Sequence, residues 1–135
     1  MKRIAAFFCA AVLLTTPARA LEVDAPAAQL MEKETDTVIF AESEAPEDAP
    51  EPEMAERRLG FYARNGLRTA GYDTEMFGVH YKTLYLAGRE VEDVELMREH
   101  RFVYENTFAP DKFAKYVRIP YDPDAAPGFK VPWQQ

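Results

Sequence analysis

The chain's two histidines, His80 and His100, carry the side chains most often used as catalytic bases and metal ligands. A catalytic base needs a reacting partner within reach, and a metal site needs three or four ligands. The residue pattern places His80 on a strand and His100 on a helix, and it shows no partner for either. Cys9 is the only cysteine, so a disulfide within the chain and a multi-cysteine metal site are both excluded. No serine or cysteine nucleophile motif is present.

The first twenty residues have the three parts of a secretion signal. Lys2 and Arg3 precede an apolar run at 4–14, and a small-residue segment ends at Ala20. The run is shorter than the roughly 20 residues that span a bilayer. We therefore predict a signal peptide at 1–20, export to the periplasm or the medium, and no stable membrane anchor. A buried helix is the alternative, and a misassigned start codon would instead leave the protein in the cytoplasm.

Acidic residues crowd the segment 21–56, where Lys33 is the only basic residue. Charge after that segment is nearly balanced, and the sequence pI is about 4.9. Binding to nucleic acid or to anionic lipid depends on clustered positive charge. The charge pattern therefore argues against nucleic acid and anionic membranes as partners.

Hydrophobic periodicity divides the chain into an α+β domain at 36–120 and flanking segments in which the periodicity is weaker. Apolar positions at 53–64 share one helix face, which includes Tyr62, and Asn65-Gly66 ends the helix. We predict an acidic leader with a short helix at 21–35 and a Pro-rich extended tail at 121–135. Within the domain the predicted strands are 37–41, 67–75 and 79–87, with a turn or bulge at 76–78. The predicted helices are 53–64, 91–107 and 111–116. Apolar residues at 91, 94, 97, 103 and 104 predict that the second of these helices lies on the sheet.

The stretch 42–53 carries three prolines and six acidic residues. Such a composition cannot bury apolar surface, so it predicts a solvated loop between strand and helix. Two interpretations remain open for this loop. It is either a solvated connector, or an acidic surface that attracts a cationic amine.

Four blocks, in order, resemble the carboxy-terminal half of a GCN5-related N-acetyltransferase (GNAT). The run 57–67, with Phe61-Tyr62-Ala63-Arg64-Asn65-Gly66, is similar to that family's helix and following turn. The segment 38–46 resembles the preceding strand with its acidic exit. The segment 77–84 resembles the final antiparallel hairpin of a bacterial subgroup, and 102–119 its helical extension. The resemblance covers about two-thirds of the chain, and it implies a partial GNAT-like mixed sheet with helices.

The resemblance also implies a chemistry. GNAT enzymes bind acetyl-CoA as a co-substrate, without a metal, and an amine on a small molecule or protein attacks the thioester. Tyr62 matches the tyrosine that protonates the departing thiolate, which suits a phenol with a pKa of about 10 facing a thiol near 8.5. Glu42 and Glu44 leave the strand where some members place a general base. Arg64 and Asn65, at the helix end, become candidate acetyl-CoA contacts. Packing on the apolar helix face is the alternative role for Tyr62.

The sequence departs from the family at the pyrophosphate loop. GNAT enzymes hold the pyrophosphate with a glycine-rich turn that opens a helix. No glycine precedes Gly60, and no Gly-x-Gly occurs anywhere. Acetyl-CoA is also a cytosolic metabolite, so export would separate an enzyme from its donor. A noncatalytic, exported acidic protein that binds a partner is therefore the second hypothesis, with a homodimer formed through an exposed sheet edge as one form of it.

Overall fold

The computed structural model describes the backbone of residues 4–6 and all of residues 38–126. Its architecture is α+β, as predicted. Each predicted strand, helix and turn within 38–120 is present, the strand 79–87 with the predicted bounds and the others with ends shifted by a few residues. In chain order the elements are β1 (Ile4–Ala6), β2 (Val38–Glu44), α1 (Pro52–Arg64), β3 (Arg68–Met76), β4 (Val79–Ala87), α2 (Asp93–Thr107), α3 (Pro110–Tyr116) and β5 (Val117–Arg118).

One sheet contains all five strands in the order β1-β2-β4-β3-β5. The four strands β2 to β5 are antiparallel, and β4 lies between β2 and β3. At the edge, β1 runs parallel to β2 and pairs only with Val38, Ile39 and Phe40. The outer edge of 41–44 therefore has no strand partner among the described residues.

The β3–β4 connection is a two-residue turn at Phe77 and Gly78. Both residues have positive φ, 52° and 76° respectively, as a type I′ turn requires. Phe77 is unusual at such a position because its Cβ disfavours positive φ. Its ring packs against Phe108 and Tyr116, and its N–H donates to the Tyr116 carbonyl at 2.9 Å. Tertiary packing thus holds the turn predicted at 76–78.

Helix α1 is bounded by residues suited to its two ends. Pro52 occupies its first turn, where a missing N–H costs nothing. Asn65 ends it and donates its side-chain N–H to the Phe61 carbonyl at 2.8 Å. Gly66 follows with φ of 86°, a conformation that a Cβ would strain.

The two faces of the sheet are covered by different helices. Phe40 and Tyr85 are cross-strand neighbours on one face, and Ala41 and Leu84 on the other. On the first face, α2 closes the larger core, whose buried members are Val38, Phe40, Ala70, Tyr72, Met76, Tyr85, Val91, Leu96, Tyr104, Val117 and Ile119. On the second face, α1 closes a smaller cluster of Ala41, Tyr62 and Leu84.

Two predictions for the connector and for helix α2 were wrong in detail. The stretch predicted as a solvated loop, 42–53, contains the end of β2 and the start of α1, so that only 45–51 connects them. Its first residues are buried because the sheet continues through Glu44. Val94, assigned to the buried face of the second helix, is 79% exposed. Leu96, His100 and Tyr104 form the buried face instead.

Several predicted segments lie wholly or partly outside the described residues. These are most of the signal segment 1–20, the leader and short helix at 21–35, and the tail beyond Ala126. The signal peptide, the export to the periplasm or the medium and the extended tail therefore stay predictions. Among the described residues, no helix combines the length and apolar composition needed to cross a bilayer.

A bulge in β3 brings the sheet into contact with the start of α2. The register of β3 against β4 shifts between Thr69 and Asp73. The chain advances four residues along β3 there, while the paired residues on β4 are only two apart. Gly71 lies in this bulge and donates its N–H to Asp93 Oδ1 at 2.9 Å. A Cβ on Gly71 would meet Asp93 Oδ2 at 2.2 Å, so only glycine permits this approach.

The substitution Gly71→Ala should therefore displace Asp93 and remove its hydrogen bond to the bulge. We expect a loss of about 1–3 kcal/mol in the free energy of unfolding, measured by urea denaturation. Gly88→Ala is the matched control, because a Cβ there meets nothing within 4 Å, and it should change stability by less than about 1 kcal/mol. Equal effects of the two substitutions would contradict the assigned role of the bulge.

Candidate functional site

A buried carboxylate, Glu42, is the centre of a polar cluster between the sheet and α2. Its side chain is 4% exposed. Glu42 Oε1 lies 2.7 Å from His100 Nε2, and Glu42 Oε2 accepts a hydrogen bond from the Tyr104 hydroxyl at 2.7 Å. The Thr74 hydroxyl lies 3.5 Å from Oε1, and the Tyr72 hydroxyl lies 2.9 Å from His100 Nδ1. Glu42 therefore has donors from both α2 and β3.

The carboxylate of Glu42 fixes the role of one His100 nitrogen. An ionised carboxylate oxygen can only accept, so Nε2 must donate to Glu42. The Tyr72 hydroxyl can either donate to Nδ1 or accept from it. The Glu42 carboxylate is thus surrounded by donors, which is how a buried ion avoids an uncompensated desolvation cost.

Three tyrosines near Glu42 resist ionisation. Burial raises the pKa of Tyr72 and of Tyr104 far above the ordinary value, and the negative charge of Glu42 adds to the effect. Burial, followed by the charges of Glu42 and Glu44, raises the pKa of Tyr81 to about 12. A second negative charge in this cluster would be unfavourable, so the phenols remain donors at neutral pH.

A second polar cluster lies on the α1 face, around His80. Its ring nitrogens lie 2.7 Å from Asp48 Oδ2 and 2.7 Å from Asp73 Oδ2, and the Tyr121 ring stacks on it at 3.9 Å. Lys82 bonds the same Asp73 oxygen at 2.9 Å. These contacts correct the interpretation of both histidines as residues without partners, because partners far apart in sequence meet across the sheet.

Beside this cluster is an open groove of about 650 Å³. Its walls are the bulged stretch 69–73 and the segment after β5, with Lys82 at one end; Pro120, Tyr121 and Pro123 line it as well. Two carboxylates, Glu47 at 2.5 Å and Asp73, hold the Lys82 ammonium and raise its pKa despite the opposing effect of burial. The groove thus contains one cation, the Lys82 ammonium, and the two carboxylates both hold it in place and balance its charge.

The structure places the candidate residues of the GNAT resemblance in three locations. Tyr62 is buried on the α1 face, where it packs with Ala41 and Leu84. Glu42 belongs to the opposite face, so the sheet separates it from Tyr62. Glu44 is about one-quarter exposed at the end of β2 and lies 3.7 Å from Arg58.

The remaining two candidates, Arg64 and Asn65, are exposed at the end of α1. Asn65 forms the helix cap described above, and the Arg64 guanidinium lies back along the helix toward Gly60. Neither joins the cluster around Glu42. A structural role accounts for Asn65, while its role as an acetyl-CoA contact stays a prediction.

Sequence reasoning missed His100 and Tyr104 as partners of Glu42, and Tyr72 as a partner of His100. One signal was present: Leu96, His100 and Tyr104 are spaced i, i+4 and i+8, which places all three on one helix face. A histidine in the middle of a buried face needs a polar partner, and a strand carboxylate is the natural one. The bulge that positions Tyr72 has no comparable signature in the sequence.

Within 38–126, no group of three or more histidine, cysteine, aspartate or glutamate side chains is arranged to hold a metal ion. The comparisons with known proteins do not add a candidate activity. The chain matches no protein-family model, and neither the curated proteins nor the solved structures contain a significant match.

Tyr104→Phe should remove one donor from a buried carboxylate. We expect the free energy of unfolding to fall by about 1–3 kcal/mol in chemical denaturation. Tyr116→Phe serves as a control, because Tyr116 is only partly buried and lies outside the Glu42 cluster; a change within about 0.5 kcal/mol is expected. A Tyr104 variant as stable as wild type would show that Glu42 does not depend on this hydroxyl.

The raised pKa of Tyr81 predicts that stability falls in alkali. Between about pH 10 and about pH 12 the unfolded chain loses the Tyr81 proton while the folded chain keeps it, so rising pH favours unfolding. Urea unfolding midpoints measured across this range should fall more steeply for wild type than for Tyr81→Phe. Identical slopes would indicate that Tyr81 ionises alike in both states.

Proposed function

We propose that this protein is a relative of the GNAT acyltransferases and that its chemistry is transfer of an acetyl group from acetyl-CoA to an amine. The order of elements supports this proposal. Strand β2, helix α1 with Tyr62 near its end, the Asn65-Gly66 turn, the hairpin β3–β4 and two further helices follow one another as the resemblance implies.

The observation that carries the proposal is the point where β1 and β2 cease to pair. Because β1 lies within the predicted signal segment 1–20, the proposal goes with the cytoplasmic alternative, in which those residues are retained. The parallel pairing stops at Phe40, and Tyr62 packs on Ala41, the next residue along β2. In GNAT enzymes the tyrosine follows the point where central strands splay apart. A thioester placed along the open edge of β2 would lie beside the helix that carries this phenol.

The same geometry distinguishes the two candidate bases. Both oxygens of Glu42 already accept hydrogen bonds inside a closed cluster, so Glu42 is poorly placed to take a proton from a substrate. Glu44 is more exposed, at the end of the open edge. We assign the base role to Glu44: it takes the amine proton, the nitrogen bonds the carbonyl carbon, the C–S bond breaks, and Tyr62 protonates the thiolate.

The test uses the full chain with acetyl-CoA and a panel of primary amines, with release of the CoA thiol followed by absorbance. We expect amine-dependent release, and Tyr62→Phe should lower kcat by about 10²- to 10⁴-fold, because it removes the acid that protonates the leaving group. Tyr116→Phe, the matched control, should retain activity.

Calorimetry with acetyl-CoA separates binding from turnover. A chain that neither binds acetyl-CoA nor releases thiol contradicts the transferase proposal. If that chain also sediments as a dimer, the second hypothesis gains support, because the open edge at 41–44 would then serve to pair with a partner strand.

A further inference from the structure

Three contacts fasten the acidic loop 45–51 to strand β4. The Ala45 N–H donates to the His80 carbonyl at 2.9 Å. Glu47 Oε1 lies 2.5 Å from Lys82 Nζ, and Asp48 Oδ2 lies 2.7 Å from His80 Nδ1. The loop that composition alone describes as a solvated connector is therefore attached to the sheet, and two of the attachments depend on charge.

The His80 ring makes one of these attachments dependent on a proton. Each of its nitrogens faces a carboxylate oxygen at 2.7 Å, Asp48 on one side and Asp73 on the other. An ionised carboxylate cannot donate, so both nitrogens must carry hydrogen for both bonds to exist. In a neutral imidazole one lone pair would point at a negatively charged oxygen.

We propose that a proton on His80 latches the acidic loop 45–51 onto the sheet at Asp48, so that raising the pH loosens the loop at this point. Loss of that proton leaves only one N–H. The bond to Asp73 persists, since that residue is better buried and is also held by Lys82, and the bond to the exposed Asp48 is lost. The latched form binds one proton more than the released form, which gives the direction of the pH effect.

The charges around His80 are consistent with a ring that is a cation when latched. Its side chain is only 9% exposed, so its charge requires nearby compensation. Asp73 Oδ2 accepts from both His80 and Lys82, so one carboxylate lies against both side chains. The titratable groups that face the ring from the loop, β3, β4 and the segment after β5 are Glu47, Asp48, Asp73, Glu75, Lys82 and Tyr121.

Release of the latch would change the surroundings of β2 and α1. The loop joins the end of β2, where Glu44 lies, to the first turn of α1. A loop loosened at Asp48 would uncover part of the α1 face beside the groove that Tyr121 and Lys82 line. The latch concerns the loop itself and operates whether or not the chain transfers acetyl groups.

Hydrogen exchange of the loop amides tests the latch on the full chain. Protection factors, which remove the intrinsic pH dependence of exchange, are compared at about pH 5 and about pH 8, the range in which imidazole side chains change charge. In wild type we expect protection of 45–51 to fall by about tenfold at the higher pH, the effect of losing one charge-assisted hydrogen bond. In His80→Gln the protection factors of the loop should be low at both pH values.

Asp48→Asn is the decisive variant, because it tests the proton and not merely the contact. An asparagine amide can donate to a neutral ring nitrogen or accept from a protonated one. The loop of this variant should therefore be protected equally at both pH values. Asp111→Asn, an exposed substitution on α3, is the matched control and should retain the wild-type pH dependence.

Two results would overturn the latch. One is wild-type loop protection that does not change with pH. The other is an Asp48→Asn variant with an undiminished pH response, since the response would then arise from another group. If His80→Gln fails to fold, the comparison of wild type with Asp48→Asn still decides the matter.

Discussion

The burial of one carboxylate, that of Glu42, determines how α2 and the sheet fit together. An ion without water must have donors on all sides, and these come from His100 and Tyr104 on α2 and from Thr74 on β3. Shifting α2 by one residue would move His100 and Tyr104 out of reach of this carboxylate. The large apolar core supplies most of the driving force for packing, whereas this cluster specifies the register in which the helix packs.

Much of the secondary structure could be predicted from sequence because local signals agree. Strand β4 was predicted with the bounds it has, and the Asn65-Gly66 end of α1 and the turn at Phe77 and Gly78 were recognised from their residue types. The end of β2 could not be found, since the acidic composition of 42–53 hides a strand end that pairing across the sheet stabilises. The bulge around Gly71 depends on Asp93, more than twenty residues away.

The candidate site shows the same division between local and distant information. Tyr62 was placed correctly on a buried helix face, because periodicity reports which residues share a face. Glu42 was singled out, but its partners and the sheet face it occupies depend on β-pairing, which no local pattern encodes. His80 and His100 were judged to lack partners for the same reason. His80 contacts Asp48, which is 32 residues away in the chain, and His100 contacts Glu42, which is 58 residues away.

The unequal covering of the two sheet faces means that the domain need not unfold as one unit. Helix α2 is anchored by an extensive core and a polar cluster, while α1 rests on three buried residues, Ala41, Tyr62 and Leu84. Partial unfolding proceeds most easily where least apolar contact is lost. Undocking of α1 would leave β2, β4 and β3 paired and still covered by α2. We therefore expect a native-like excited state in which Tyr62 meets solvent, separated from the ground state by less than the global unfolding free energy.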